Sequence, residues 1–446
     1  MTQHESVAHK DQAETYQPSH KVEQDFRANQ PKQNRTATVT WVQRIGVWIG
    51  IAFNPGVMTA GGGVATMLPL SRLLIIMFIG AILLTTIVIT HGIICRRLRH
   101  PLAKRAAAIF GQGIGAYVLN ILIAFGMVGW VGFFIGITGV SLGNVLQIEG
   151  WWSNWVGALI MATALFIFSA MGMNRWNVLV WITTSAAVGV AIITLIAVGA
   201  PAKLSEILAQ DTIMPENQFA AIIWIITSVV TYGILFSLRI GDFTWDLRSD
   251  RDVIYNGLCL FFPLCASLSI GAILYNVTGD WNIPDILAPT DLALLGQVFL
   301  LVSVIAPVMG SMISGALALQ TLNPFQGDPN PRMQLWANGL ICVIGFLLGA
   351  TRFDYNLLPM IDLLGAILPP ALVVLLVTSA LKQKPPTSHT LAAWWIGAAV
   401  ALVFKLQGQL IHIAVGAVVA IAVLAVLHLM RPRFVSGWFI LRWSIR

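Results

Sequence analysis

Runs of about 20 mostly apolar residues recur along almost the whole length of this sequence. A run of that length crosses the hydrocarbon core of a bilayer as an α-helix. With 57% hydrophobic and 10% charged residues, the chain lies outside the usual composition of soluble globular proteins. The sequence therefore predicts an all-α integral membrane protein. Its twelve predicted transmembrane segments, called spans one to twelve below, cover residues 42–68, 72–95, 107–139, 154–172, 176–199, 219–240, 253–278, 293–322, 332–350, 356–380, 391–406 and 411–430.

The positive charges are distributed unevenly between the two sides of this topology. All but four of the 26 Lys and Arg residues fall on the side that holds both termini. Because cytoplasmic loops carry an excess of Lys and Arg, this bias predicts a multi-pass protein of the plasma (inner) membrane with cytoplasmic termini. The net charge of +7 is thus explained by orientation, so we expect the lipid bilayer around the chain, no nucleic-acid partner and no obligate protein partner. The four exceptions are Arg72, Lys203, Arg352 and Lys405.

Two polar segments flank the spans. Residues 1–41 lack the apolar stretch of a signal peptide and are predicted to form a disordered cytoplasmic tail. Residues 431–446 are predicted to be a short cytoplasmic tail at the other end.

Span one carries the helix-breaking sequence Asn54-Pro55-Gly56 near its middle. Proline removes a helical hydrogen-bond donor and clashes with the preceding turn, while glycine loosens the backbone beside it. A broken helix inside a bilayer requires freed backbone groups that face protein or a water-filled cavity, and many secondary transporters build their substrate and ion sites there. A packing kink is the alternative. Span six, which enters from the opposite face, has a weaker break at Tyr232-Gly233.

Two groups of side chains are candidates for ligand contacts. Trp130 lies in the middle of span three among glycines, which indicates either core packing or a cavity wall whose ring face stacks on a planar solute. Ser311 and Ser314 of span eight offer hydroxyl oxygens to a cation such as Na⁺, or hydrogen bonds to a neighbouring helix.

Asp362 is a carboxylate inside span ten, close to the predicted outer end of that span. An intramembrane carboxylate suggests a proton or ion relay, whereas its position near the end of the span favours contact with interfacial water. His91, near the end of span two, is more typical of the membrane interface than of a relay.

The loop between spans six and seven alternates aspartates with arginines over residues 242–252. Interleaved arginines compete with Mg²⁺ for the carboxylates, so ion pairs within the loop are favoured over a metal–diphosphate site. The sequence contains no His-Glu-x-x-His, Gly-x-Ser-x-Gly or phosphate-loop motif. We therefore expect a protein that is not an enzyme.

Several stretches resemble, in matching order, the nucleobase–cation symporter family, and in particular its bacterial cytosine and purine permeases. The most specific is Val128-Gly129-Trp130-Val-Gly132, which is similar to the Val-Gly-Trp-Phe-Gly element whose Trp stacks on the base. The other similar stretches are Arg105-Ala-Ala-Ala-Ile-Phe110-Gly111-Gln-Gly113, Gly241-Asp242-Phe243, Asn338-Gly339 and Pro369-Pro370.

The resemblance implies a LeuT-like fold with about 12 transmembrane helices. Ten of them would form a transporter core over 42–380, made of two inverted five-helix repeats at about 42–199 and 219–380. Two peripheral helices would occupy 391–430.

The same resemblance implies roles for particular residues. Trp130 would be the platform for the substrate ring. Polar and backbone contacts would come from Asn54, Pro55, Tyr232, Gly233 and the amide of Gln320. The carbonyls of Gly50 and Phe53 would hold Na⁺ together with Ser311 and Ser314. Asp362 is not part of the resemblance, and its candidate role as a proton relay rests on its place inside span ten.

These expectations describe a secondary active transporter that imports a nucleobase-like heterocycle, such as cytosine or a purine, by cation symport. Alternating access around the broken helices would couple substrate movement to Na⁺ or H⁺, and no cofactor beyond the coupling ion is expected. The alternative is a symporter of another small solute, an amino acid or a vitamin precursor, on the same fold.

Overall fold

The computed structural model describes residues 39–170, 173–209, 217–322, 331–381 and 384–434. Most of the predicted N-terminal tail and residues 435–446 of the C-terminal tail lie outside the described residues. The described part is almost entirely helical, as expected for a chain that must satisfy its backbone hydrogen bonds inside lipid. The long helices are Leu70–Leu98, Ala116–Val145, Ser153–Ala170, Met173–Ala197, Asp250–Thr278, Ala293–Ser303 continued by Ile305–Gln320, Pro331–Ala350, Leu357–Ala380, Thr387–Leu406 and His412–Phe434.

Ten helical segments of the described chain are long and apolar enough to cross a membrane. The two predicted spans absent from that set are spans one and six, and both are divided into shorter helices. Span one consists of Ile45–Ala52 and Pro55–Gly63, and span six of Gln218–Tyr232 and Ile234–Arg239. The predicted all-α membrane architecture is confirmed, with its two interrupted crossings at the predicted places.

Several boundaries differ from the prediction. Span three begins at Ala116 instead of residue 107, because a separate helix, Leu102–Phe110, ends at Gly111 with a positive φ of 85°. It also runs on to Val145. The segment between predicted spans five and six contains a further helix, Ala200–Ala209.

Close helix contacts depend on small residues. A Cβ atom on Gly61 would lie 2.1 Å from the carbonyl oxygen of Leu268, and one on Gly271 would lie 2.1 Å from that of Met58. Spans one and seven therefore touch backbone to backbone, as membrane helices do where small residues face each other. Span eight approaches span one in the same way, since a Cβ on Gly50 would lie 2.1 Å from the Cβ of Ala306.

Spans eleven and twelve pack against each other and against span ten. A Cβ atom on Gly397 would meet the carbonyl oxygen of Gly416 at 2.7 Å. The indole of Trp394 is fully buried, and its Nε1 donates a hydrogen bond to the carbonyl of Ile367 at 3.0 Å. The last two helices are thus fixed to the rest of the bundle through span ten.

Candidate functional site

The break in span one follows from its sequence. Ile45–Ala52 ends at Phe53, and Asn54 is fully extended at φ −160° and ψ 167°. The second helix begins with Pro55 at its first position, where a missing N–H group is harmless and the fixed φ of proline suits a helix start. Asparagine is a favoured cap before such a start. The local chemistry is sufficient to place the interruption here.

The Asn54 amide bridges both sides of that break. Its Nδ2 donates to the carbonyl of Ile51 at 2.7 Å and to that of Gly50 at 3.3 Å. Its Oδ1 accepts from the backbone N–H of Val57 at 3.2 Å and from the Tyr232 hydroxyl at 3.0 Å. The side chain is fully buried. Asn54 therefore holds the two half-helices together, and its hydrogen-bonding groups are engaged within the protein.

The break in span six is smaller. Gly233 forms a one-residue turn between the two helices, and no side chain caps the second of them. The hydrogen bond from Tyr232 to Asn54 joins this turn to the break in span one. The prediction that the two interruptions lie together is consistent with this direct contact between them.

A cavity lies beside the two breaks, at the meeting of spans one, three, six and eight. No charged side chain is among the described residues that line it. Four predicted site residues are brought together here, namely Trp130, Tyr232, Ser311 and Ser314. The remaining lining residues are Ile51, Met127, Phe134, Leu235, Phe236, Pro307 and Gly310.

Trp130 belongs to an aromatic cluster on the cavity wall. Its ring is nearly parallel to Phe134, with centroids 5.6 Å apart and an angle of 27°. The Tyr232 ring approaches it edge-on at 5.2 Å and 77°. A Cβ on Gly56 would lie 2.9 Å from indole Cζ3, so the absence of a side chain there lets the ring lie against the backbone of span one. Trp130 is 6% exposed and takes part in both core packing and the cavity wall.

Two cavity aromatics, Phe134 and Phe236, escaped the sequence analysis. Phe134 lies on a helix that is apolar on nearly all sides, so no periodicity separates a cavity-facing ring from a buried or lipid-facing one. Phe236 lies on a helix of six residues, which is too short to show a periodicity. The spacing of Phe134, four residues after Trp130 on one helix, places the two rings on the same face and was the available signal.

The predicted cation ligands are only partly available. Ser311 Oγ donates to the carbonyl of Pro307 at 2.9 Å and keeps its lone pairs for a cation. Ser314 is buried and also lines the cavity. The carbonyl of Gly50, however, already accepts from the Asn54 amide. Oxygen ligands for a cation are thus present beside the break, but one of them, the Gly50 carbonyl, already accepts a hydrogen bond from the Asn54 side chain.

Gln320 does not line this cavity. It is the last residue of the helix Ile305–Gln320, six positions beyond Ser314 and so about 9 Å further along the helix axis. Its amide is buried, and neither its nitrogen nor its oxygen has a hydrogen-bond partner among the described residues. Gln320 therefore lies apart from the cavity that Trp130, Tyr232, Ser311 and Ser314 line.

Asp362 has two ionic neighbours that the sequence did not reveal. It pairs with Lys405 Nζ, and His412 Nε2 lies 3.0 Å from its Oδ1. The carboxylate is partly exposed as well as paired. Its surroundings therefore have features of both predicted alternatives, a relay and contact with interfacial water. The prediction for His91 was wrong, because this residue is fully buried with Nδ1 2.6 Å from the Ser237 carbonyl.

The aspartates of the 242–252 loop form ion pairs, but their partners lie outside the loop. Asp246 pairs with Arg44 at the start of span one, at 2.5 Å. Asp250 pairs with Arg96 and Arg97 at the end of span two, at 2.6 and 2.8 Å. The predicted pairing within the loop was wrong, since these charges instead tie the loop to the ends of two spans.

An all-α membrane bundle with two interrupted helices around a cavity is the architecture of LeuT-type secondary transporters. Comparison with solved structures confirms this LeuT-like fold for most of the chain. No protein-family model and no curated protein sequence matches the chain.

One similar structure is Mhp1, a nucleobase-cation-symport-1 family transporter in a closed conformation with bromovinylhydantoin bound. The TM-score is 0.68 at 14% identity over 88% of this chain and 93% of that one. A substrate-bound, outward-open Na⁺-coupled sialic acid symporter gives 0.66 at 11% identity over 90% and 93%. MhsT in complex with L-phenylalanine gives 0.51 at 15% identity over 87% and 98%. At 11–15% identity these likenesses establish the fold of this chain.

Proposed function

We propose that this chain is a secondary active transporter that imports a small, neutral, nucleobase-like heterocycle by symport with Na⁺ or H⁺. The observation that carries the proposal is the aromatic cavity beside the two helix breaks, with Trp130, Phe134 and Tyr232 in its wall. Stacking of a base on an aromatic ring contributes about 1–3 kcal/mol in other proteins. The hydroxyls of Ser311 and Ser314 supply polar contacts on the opposite helix.

The break in span one favours a neutral solute over an amino acid. A carboxylate is held best by free N–H groups at the start of a half-helix. Here Pro55 has no N–H, and the N–H of Val57 is already capped by Asn54 Oδ1. Because no charged side chain is present among the described lining residues, the cavity wall offers a carboxylate no side-chain counter-charge. The similarity to MhsT, which binds L-phenylalanine, therefore supports the fold more than the substrate.

Two sets of groups are candidates for binding the coupling ion, one for Na⁺ and one for a proton. Ser311, Ser314 and the backbone carbonyls beside the break are oxygen ligands suited to Na⁺, and an Na⁺-coupled symporter is among the structural neighbours. Asp362 and its ionic neighbours offer a site for a proton. Symport along an inward gradient of Na⁺ or H⁺ carries the solute inward, so import is the direction that we propose.

Uptake by purified protein in liposomes tests the proposal. Radiolabelled cytosine or hypoxanthine should accumulate above equilibrium under an inward Na⁺ or proton gradient, and an ionophore that dissipates the coupling gradient should abolish the accumulation. An excess of an unlabelled neutral base should compete, whereas an excess of phenylalanine should not. Accumulation of phenylalanine, with no uptake of any base under either gradient, would contradict the proposal. Protein-free liposomes provide the background.

A further inference from the structure

Three ionisable side chains from three helices meet where spans eleven and twelve are joined. Asp362 of span ten pairs with Lys405, in the last turn of span eleven. His412, the first residue of the span twelve helix, places Nε2 3.0 Å from Asp362 Oδ1. The His412 side chain is only 4% exposed, while that of Asp362 is 31% exposed. We call these three residues the Asp362 triad.

The geometry of His412 requires a proton on each ring nitrogen. Nδ1 lies 2.9 Å from the carbonyl oxygen of Gln409, which can only accept a hydrogen bond, so Nδ1 carries a hydrogen. In the neutral ring Nε2 would then present a lone pair to a carboxylate oxygen at 3.0 Å, which is a repulsive contact. Because the ion pair with Lys405 keeps Asp362 as the carboxylate anion, this contact becomes attractive when Nε2 also carries a proton and the ring is a cation.

Among the described residues, the charged and aromatic groups that face His412 come from spans ten, eleven and six. Span ten contributes Asp362, span eleven contributes Lys405, and the described first half of span six contributes the Trp224 ring, 5.7 Å from the imidazole. Lys405 repels a second positive charge, but Asp362 lies between the two cations and attracts both. The buried ring therefore depends on the carboxylate for its charged state.

The triad is connected to the cavity by direct packing along span ten. Gly365, about one turn beyond Asp362, lies against both neighbouring helices. A Cβ on Gly365 would be 2.5 Å from Thr231 Cγ2 and 3.4 Å from Ile413 Cδ1. Thr231 precedes Tyr232, whose ring lines the cavity. A movement of span twelve against span ten would thus be transmitted to the broken part of span six.

We propose that the Asp362 triad is a proton-binding site, occupied when both nitrogens of His412 are protonated, and that the bound proton fastens spans eleven and twelve to span ten. On the predicted orientation this end of the helices faces the outside, so the site senses external pH. The binding of the proton stands independently of the transported solute. Its effect on uptake rests on the transport function proposed above.

Thermal unfolding of the purified protein in detergent tests the site without any substrate. The His412–Asp362 ion pair exists only while the ring is protonated, so its stabilising contribution is present at acidic pH and is absent once the ring has lost that proton. We expect the melting temperature to be higher at pH 6 than at pH 8, by an amount on the order of 2 °C attributable to this pair.

Two variants should remove that pH-dependent increment by different routes. His412→Gln removes the titrating ring, and Asp362→Asn removes the charge that attracts the proton. Lys405→Met should keep the increment, because the His412–Asp362 pair remains. His428→Gln, a half-buried histidine near the other end of the span twelve helix, is the matched control and should behave like the wild type. Melting curves whose pH dependence is the same in the wild type, His412→Gln and Asp362→Asn would overturn the proposal.

Uptake in liposomes supplies the second readout. If the triad acts on the cavity, the KM for the transported base should rise with external pH in the wild type and become independent of pH in His412→Gln. A pH-dependent melting temperature without any base uptake would leave the proton site standing and refute the transport function. A KM that rises with pH to the same extent in the wild type and in His412→Gln would overturn the proposed link between the triad and the cavity.

Discussion

The two helix breaks perform the same architectural task by different means. The break in span one is built from a proline that starts a helix and an asparagine whose amide bonds to both half-helices. The break in span six is one glycine, without a side-chain cap on the helix that follows. The first is fastened by hydrogen bonds, whereas the second is shaped by packing.

The difference indicates which break is the fixed one and which can move. Unmaking the break in span one would expose several buried polar groups at once, and each such group costs about 1–3 kcal/mol when it is left unsatisfied. A change at Gly233 disturbs no side-chain hydrogen bond and requires only that the neighbouring Leu84 rearrange. We infer that span six is the more adaptable wall of the cavity and span one the more rigid.

The largest effect is expected from Asn54→Ala. The substitution deprives the Ile51 and Gly50 carbonyls, the Val57 N–H and the Tyr232 hydroxyl of a shared partner. We expect a loss of about 3 kcal/mol in the free energy of unfolding and the loss of uptake. Thermal unfolding and liposome uptake provide the two measurements.

Asn217→Ala is the matched control for that variant. Asn217 also caps a helix, accepting from the Ala220 N–H at 3.0 Å, but it is exposed and far along span six from the break. Its loss should cost about 1 kcal/mol and leave uptake intact. Equal effects of the two substitutions would show that Asn54 is an ordinary helix cap.

Two glycine substitutions should give intermediate and small effects. The Cβ of Gly50→Ala would lie 2.1 Å from the Ala306 Cβ and 3.2 Å from its Cα, so spans one and eight must separate. We expect a cost of about 2 kcal/mol and a clear fall in uptake. The Cβ of Gly233→Ala would lie 2.7 Å from Leu84 Cδ2, the end of a flexible side chain, and should cost about 1 kcal/mol or less.

Gly63→Ala is the control for both glycines. Gly63 ends the second helix of span one and has no atom within 4 Å of an added Cβ. Alanine is the better helix former, so this substitution should be neutral or slightly stabilising. A Gly233→Ala variant that is more damaged than Gly50→Ala would reverse the assignment of the rigid and adaptable walls.

The features that were predictable from sequence have local causes. The break at Asn54-Pro55 follows from the cap and proline chemistry of adjacent residues, and the apolar runs follow from the thickness of the bilayer. Even there, the start of span three was misplaced, because residues 106–145 form one nearly continuous apolar stretch, interrupted only by a glycine-rich turn, that includes the end of the separate helix Leu102–Phe110. Hydropathy does not distinguish a helix that crosses the membrane from a short one beside it.

The features that were missed depend on contacts between distant segments. Asp362 finds Lys405 and His412 on two later helices, and no local pattern specifies that pairing. Arg105, which lies between predicted spans two and three, is buried with Nη2 2.5 Å from Ser379 Oγ of span ten. Tertiary packing determines such partners, and the neighbouring residues in the sequence do not specify them.

Equilibrium binding of a radiolabelled base to purified protein tests the central claim, that a flat neutral ring is held against Trp130, most directly. Trp130→Ala should weaken binding by about 10- to 100-fold, as expected for the loss of one stacked ring, while Trp130→Phe should retain most of the affinity. Trp155→Ala, which removes a partly buried indole packed on Phe346 in span nine, should leave the affinity unchanged. An affinity that is the same in the wild type and Trp130→Ala would contradict the account.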